Sequence, residues 1–390
     1  MAIQAAFTLN PNEIFASLAN MFISQQVFAD NLGKHQTLVD KARVDGGLYG
    51  DSKLYYATDV LKSHPWGVNA ADSSTLNGGA MAYEASNLLA LDRPADPSVQ
   101  AITLDIFRQI RLTVDNYLSK RAWSNEGAFS SFQSVMLGWM RETKRVYDGT
   151  LYNVFIGTSA SSVGKQAQSI DLTTGLSGLS GIEKDRKEAE LIAQALADLL
   201  VEMGDYNRDF NDYQYLRSYA NEAIKVVWNS KFINKIRKVD LPTIFHKEGL
   251  VDKFEEDVMP ARYFGHVVGS ADIGSGKVIG TDGAYDSTKG TLRAVREFDY
   301  NNVHYFPGDV LATSGTYVAV VGGLEAKDVY VEDADVICKV LVKLPPMMSA
   351  FEVGTSFFNP RSLTENHYLT WGHNTLAYLK NYPFITVKAA

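Results

Sequence analysis

One cysteine, Cys338, is all that the 390 residues contain. That excludes an internal disulfide framework and any cysteine-rich zinc site. Positive charge is also short: 37 Lys and Arg stand against 45 Asp and Glu, a net −8. A dedicated nucleic-acid binder shows a basic stripe instead, although an acidic chain suits a surface that must face DNA without sticking to it. No run of about 18 apolar residues occurs, so no membrane-spanning helix is expected. The first residues, Met1 to Phe7, lack the basic region and apolar core of a signal peptide. A soluble, cytoplasmically made protein is the expectation. Against these shortages, 46% of residues are hydrophobic and 11% aromatic, enough for a real core in two or three domains.

Chemistry-bearing motifs fail on inspection. Asp205 to Asn211 opens like a calcium loop, but Phe210 stands where the turn needs Gly and Leu216 where a Glu ligand belongs. Gly274-Ser275-Gly276-Lys277 resembles a phosphate loop. However, Ala271 replaces the leading Gly and Val278 the hydroxyl residue, and Ile279 spoils the dinucleotide version. His367 and His373 have no zincin spacing and read as packing residues. No Gly-x-Ser-x-Gly elbow is present. Cys338 lies in a β-prone run, where a lone thiol is usually a small buried hydrophobe. The carboxylate groups Glu255-Glu256-Asp257 and Glu332-Asp333 read as solvated faces. No catalytic residue, metal ligand or cofactor is expected.

Along the chain, residues 1–45 form a mixed arm in which Asn10-Pro11-Asn12-Glu13 caps a short helix. Residues 46–98 are punctuated by Gly46-Gly47, His64-Pro65, Asn77-Gly78-Gly79 and Arg93-Pro94 around pieces such as Leu54-Tyr55-Tyr56, the pattern of an extended excursion. From near Asn125 to Gly157 the spacing predicts a helix approaching thirty residues. Phe132, Val135, Met136, Trp139, Met140 and Thr143 share its apolar face, and Asp148-Gly149 is a point of bending. Residues 158–182 read as a flexible Ser/Gly/Thr-rich connection. An amphipathic helix follows from Ile182 to about Met203, its stripe made of Leu191, Ile192, Ala195, Leu196, Leu199, Leu200 and Met203. A short strand at 224–228 and a Gly-rich β region at 262–340 come next. The end of the chain alternates from Phe351, breaks at Asn359-Pro360, passes through aromatic Tyr368, Trp371 and Tyr378 as helix or strand, and closes on β-prone Phe384 to Val387.

Taken in order, these elements are familiar. The block Val114-Asp115-Asn116-Tyr117 through Ala122-Trp123-Ser124 precedes the long helix. Ala223 to Phe232 carries Asn229 after its β-prone run, and Phe358-Asn359-Pro360 is followed by Tyr368 and Trp371. In these blocks the sequence resembles the major capsid proteins of small short-tailed bacteriophages, the phi29-like group, picovirus-like podoviruses that share the HK97 shell fold. The resemblance implies that the first block is a strand running into an Asn-containing turn and a short helix, and that the second returns the chain to the central sheet.

That resemblance implies an α+β chain with an N-terminal arm (1–45) and an extended loop (46–112). It implies a peripheral domain with the spine helix (113–182 and 340–390), an axial domain (183–265) and a β-rich insertion (266–339). It also implies self-assembly as pentamers and hexamers into an icosahedral shell enclosing double-stranded DNA, located in the virion. The partners it brings are further copies of the chain, a scaffolding protein, a portal, and head-fibre or decoration proteins. Tyr55, Tyr56, Trp66 and Tyr83 in the loop are then interface anchors, since Tyr and Trp dominate such contacts; a small local core beneath the loop is the plainer account of them. Two other classes fit the same composition: another virion part, such as a tail or portal-associated protein, and a carboxylate-dependent hydrolase, whose catalysis leaves little trace in sequence.

Overall fold

A computed structural model describes residues 37–46, 52–61, 71–72, 81–82, 93–115, 126–238, 255–268, 290–300, 302–312 and 328–390. Its longest element is a single helix. After α1 (Thr37–Ala42), α2 (Glu126–Thr158) runs 33 residues without a break, about 50 Å at 1.5 Å per residue. Its buried stripe differs from the one the apolar residues suggest. Trp139 is 54% exposed, while Met140, Lys144, Tyr147, Asp148 and Tyr152 turn inward. The stripe recurs every three or four residues as expected, but two of its members are charged, so counting apolar residues placed it slightly to one side. The helix is uninterrupted at Asp148-Gly149. The Asp148 carboxylate accepts from Lys144 at 3.1 Å and from Arg43 at 3.4 Å, which makes its burial tolerable.

Against α2 lies a long sheet in the order β1-β17-β18-β6, built from β1 (Arg43–Asp45), β17 (Met347–Asn359), β18 (Thr364–Asn374) and β6 (Leu104–Asp115). The aromatic C-terminal segment is therefore strand, not helix. His367, Leu369, Trp371 and His373 alternate inward, and Leu369 and Trp371 pack with Met140 and Tyr147 of α2. Pro360, which has no amide hydrogen to continue a ladder, starts the turn between β17 and β18, and Leu363 closes it at φ 58°. β6 pairs with β18 along its length from Leu104 to Asp115.

A five-stranded sheet, β7-β19-β16-β8-β9, joins β7 (Ala167–Ile170), β19 (Phe384–Ala389), β16 (Val336–Leu341), β8 (Lys225–Asn229) and β9 (Glu255–Met259). It is buried on both faces. On one, Ile192, Leu196, Leu199 and Met203 of α3 (Ile182–Gly204) meet Val226, Trp228, Val340 and Ile385. On the other, Val227, Leu341 and Phe384 meet Tyr152, Val154 and Ile156 of α2. Leu191 and Ala195 of the expected α3 stripe are only half-buried. The supposed flexible connection contains β7, which pairs in parallel with β19. After β8, the Asn229 side chain accepts from the Lys231 amide and donates to the Val336 carbonyl, so it caps α4 (Ser230–Lys238) and ties the cap to β16. Residues 340–390 are thus divided between the two sheets.

The Gly-rich region supplies a four-stranded sheet, β10-β15-β11-β14, from β10 (Gly265–Val267), β15 (Val329–Glu332), β11 (Leu292–Ala294) and β14 (Val310–Ala312). A hairpin of β12 (Phe298–Tyr300) and β13 (Val303–Tyr305) is attached to it. This region shares the α2 core: Tyr263, Phe264 and Tyr330 pack with Tyr152 and Ile156. Contact is so close at Gly157 that a β-carbon there would stand 1.9 Å from the Tyr263 carbonyl oxygen. The Gly274 to Lys277 segment lies outside the described residues.

At the centre of the five-stranded sheet is Lys339, 1% exposed. Its ammonium donates to the Ser159 carbonyl, just past the end of α2, and to the Thr386 hydroxyl, both at 2.7 Å. Burial pulls its pKa down from 10.5 to about 7.

Candidate assembly surfaces

The excursion between β1 and β6 begins as a two-stranded ribbon of β2 (Lys53–Ala57) and β5 (Ser98–Ile102), with Tyr56 opposite Val99 and Leu54 opposite Ala101. Strand alternation gives the ribbon two unlike faces. Tyr55 is half-buried on the inner one, with the Lys343 ammonium 5.6 Å from its ring. Burial, with Tyr382 beside it, raises its pKa. Ser98 shares a 2.6 Å hydrogen bond with the Tyr215 hydroxyl, and Gln100 donates to the Tyr378 carbonyl and accepts from the Lys380 amide. Asp59, just beyond β2, accepts from Arg208 at 2.6 Å and from the Leu216 amide. The Arg208 hydrogen bond leads in holding its pKa down to about 2.

The outer face carries Leu54 (49% exposed), Tyr56 (63%) and Val99 (49%), and Val60 and Leu61, just beyond β2, are exposed as well. An isolated two-stranded ribbon is at best marginally stable; this one is held by its inner face and leaves an apolar outer face bare. Of the four sequence-derived anchors, the structure puts Tyr55 on its own subunit and Tyr56 outward. Trp66 and Tyr83 lie outside the described residues.

A second exposed apolar group sits at the far end of the long sheet. Residues 352–358 of β17 are exposed, and Val353, Phe357, Phe358 and Leu363 stand out at 42–61%. Sequence reading missed this group because alternation shows that a strand exists, not which of its faces is covered. On the sheet face away from α2, Phe107 lies across Gly372, where an added β-carbon would meet its ring at 2.9 Å.

Between these ends, polar groups serve structure. His373 donates through Nδ1 to the Asn374 carbonyl and accepts the Tyr147 hydroxyl at Nε2, 3.0 Å away. Burial lowers the His373 pKa and pushes Tyr147 up to about 12, so both are held neutral. Cys338 is fully buried and its thiol pKa is raised by that burial. Glu332 and Asp333, read as solvated, are paired with Arg293 and Lys388, and Asp257 is paired with Lys41. The segment from Asp205 closes on itself through reciprocal backbone bonds between Asn207 and Arg217. No group of three or more His, Cys, Asp or Glu poised to hold a metal ion occurs among the described residues.

No family model matches the sequence, and no curated protein matches it. Solved structures do match in shape. The capsid structure of Staphylococcus phage Andhra contains a chain with TM-score 0.51 and 10% identity, covering 90% of this chain and 83% of that one. The structure of the head fiber and inner core protein gp22 of native bacteriophage P68 contains one with TM-score 0.52 and 9% identity, covering 89% and 82%. The architecture is therefore that of the phage capsid proteins, the α+β HK97-like fold.

Proposed function

We propose that this chain is a major capsid protein that assembles, without catalysis, into the icosahedral shell around a phage's double-stranded DNA. The observation that carries the reading is the ribbon: its inner face is fastened to its own subunit, and its outer face presents Leu54, Tyr56 and Val99 to whatever lies beside it. Apolar area of this kind, beside one end of a long sheet whose other end is also exposed, suits head-to-tail contact, which closes into rings when the rotation permits.

In this reading α2 with the long sheet is the peripheral domain, and the five-stranded sheet with α3 and α4 is the axial domain. Residues 46–103 are the loop that crosses a neighbour. The four-stranded sheet is an elaboration packed on the spine helix. Tyr56 is an interface anchor and Tyr55 a support for the ribbon. The net charge of −8 keeps the shell from gripping the DNA it holds. The order of motifs favours a short-tailed, phi29-like phage. Such a shell is made in the host cytoplasm, carried in the virion, and built with a scaffolding protein, a portal and head fibres.

Negative-stain microscopy and light scattering of the purified chain across a concentration series test this. The expected result is shells, or rings of five and six subunits. Tyr56→Ser should raise the concentration needed for association by about tenfold, the equivalent of ~1.4 kcal/mol at an interface anchor. A monomer at every concentration, with residues 46–103 resistant to protease, would overturn the proposal.

A further inference from the structure

The ribbon meets its own subunit at a socket with two walls. One wall is the loop 205–220 after α3. There Arg208 and the Leu216 amide bond Asp59, Arg217 donates to the Thr58 carbonyl, and the Tyr215 hydroxyl meets Ser98. The other wall is the segment 378–380 ahead of β19. There the Gln100 side chain donates to the Tyr378 carbonyl and accepts from the Lys380 amide, both at 2.9 Å. Neither wall belongs to a helix or a sheet, so its shape depends on what ties it down. Asn211, fully buried, closes the loop by exchanging two bonds with the Tyr215 backbone, at 2.7 and 2.8 Å. Asp212, the next residue, ties the two walls together. Its amide donates to the Lys380 carbonyl at 2.8 Å, and its carboxylate accepts the Tyr378 hydroxyl at 2.7 Å.

The same carboxylate roots both walls in the core. Its Oδ1 accepts the Ser161 hydroxyl at 2.7 Å and the Gln166 amide at 2.8 Å, and those two residues are 3% and 0% exposed. Ser161 follows the end of α2, and Gln166 leads into β7 and accepts from the Phe384 amide at the start of β19. Backbone contact reinforces the joint. The Lys165 amide donates to the Asp209 carbonyl, and Gly164, at φ 60°, lies so near that a β-carbon there would stand 2.3 Å from the same oxygen. Hydrogen bonds to a carboxylate are about twice as strong as neutral ones, so much of the joint rests on one side chain. We infer that Asp212 is a positioning residue for assembly: through Tyr378, Lys380 and its own loop it sets the angle at which the ribbon presents Leu54, Tyr56 and Val99 to a neighbour. This rests on the capsid reading and names the residue that aims its contact surface.

The test compares the full-length chain with Asp212→Ala, Asp212→Asn and Tyr378→Phe in two assays: amide hydrogen exchange on unassembled subunits, and light scattering across a concentration series. The Leu216 and Lys380 amides bond the ribbon and report its docking, while the amides of β16 and β19 report the core. In Asp212→Ala, exchange at Leu216 and Lys380 should quicken by about tenfold with β16 and β19 unchanged, and association should need about ten times the concentration. Asp212→Asn keeps an oxygen for Ser161 and Gln166 and offers an N–H to the Tyr378 hydroxyl, so it should stay near the native values. Tyr378→Phe keeps the ring stacked on Phe384, centroids 5.0 Å apart, and should show the alanine pattern more weakly. Three results overturn the inference: unchanged exchange at Leu216 and Lys380; equal quickening in β16 and β19 for both Asp212→Ala and Tyr378→Phe, which makes Asp212 a residue of general stability; or a loosened ribbon with unaltered association. A native chain that never associates counts against the capsid reading instead, and exchange at the two amides still decides whether Asp212 holds the ribbon.

Discussion

Lys339 makes an ammonium the centre of a packed sheet, and replacing it with methionine turns that burial into a measurement. In the unfolded chain the amine titrates at an ordinary 10.5; in the fold it is pulled to about 7 by desolvation, with Lys388 adding to the effect. Its two hydrogen bonds, to the Ser159 carbonyl and the Thr386 hydroxyl, are made to neutral acceptors. Because the folded value lies below the unfolded one, the folded state binds fewer protons throughout the interval between them, and stability rises with pH across it. The cost is fully present below about pH 7 and gone above about 10.5. At 1.36 kcal/mol per unit it amounts to roughly 4 kcal/mol at neutral pH.

Methionine, of similar length and uncharged, abolishes that cost. It forfeits the two hydrogen bonds, about 1–3 kcal/mol together. Lys339→Met should therefore stabilise the subunit by roughly 1–3 kcal/mol near pH 7, and should lose that advantage near pH 10, where the native amine is largely neutral when folded, leaving the variant the less stable by up to about 2 kcal/mol. Urea denaturation of unassembled subunits, followed by tryptophan fluorescence at the two pH values, reads this crossing directly. A difference between the two proteins that is the same at both pH values would refute the reasoning, since it would mean that the buried amine does not titrate in this interval.

Two further substitutions test how the spine helix is held. Asp148→Ala removes the carboxylate shared by Lys144 and Arg43 and leaves the buried Lys144 with Glu352 alone, 3.3 Å away. A loss of about 3–5 kcal/mol is expected, seen as a lower denaturation midpoint, and an unchanged midpoint would show the pair to be solvated. Gly157→Ala puts a β-carbon 1.9 Å from the Tyr263 carbonyl oxygen. Helix propensity alone would favour alanine by about 1 kcal/mol, so a destabilisation of about 3 kcal/mol from overpacking is a reversal of sign that only this contact explains, and a gain would remove the contact from the account.

Legibility in the sequence followed the physics of each element. α2 and α3 were readable to within a residue or two because helical periodicity is a local property, set by neighbours three and four positions apart. What misled was composition: the α2 stripe is completed by Lys144 and Asp148, and a charge reads as surface until its partner, here Arg43 more than a hundred residues away, is known. β7 escaped notice for a related reason. Ala167 to Ile170 has no strand-like composition of its own and becomes a strand because β19 offers it an edge. The helix-or-strand ambiguity of the aromatic tail resolved the same way, through pairing of Thr364 to Asn374 with β6 from near the other end of the chain.

The assembly surfaces lie further still from what a sequence displays. Tyr55 and Tyr56 are adjacent and chemically identical, yet one faces Lys343 and the other faces outward. Only the register of β2 on β5, and the fastening of that ribbon by Ser98, Gln100 and Asp59, separates them. A one-residue slip would exchange their roles. The exposure of residues 352–358 of β17 is likewise a matter of which strands the described residues bring beside it, not of any residue within it. On the capsid reading proposed above, the functional site is whatever apolar surface the fold leaves uncovered, so it is legible only after every strand has been assigned its neighbours. Catalytic sites announce themselves through residue type; here the informative quantity is a missing partner, and it follows that variants aimed at register and edge, not at conspicuous side chains, are the ones that will map how copies of this chain meet.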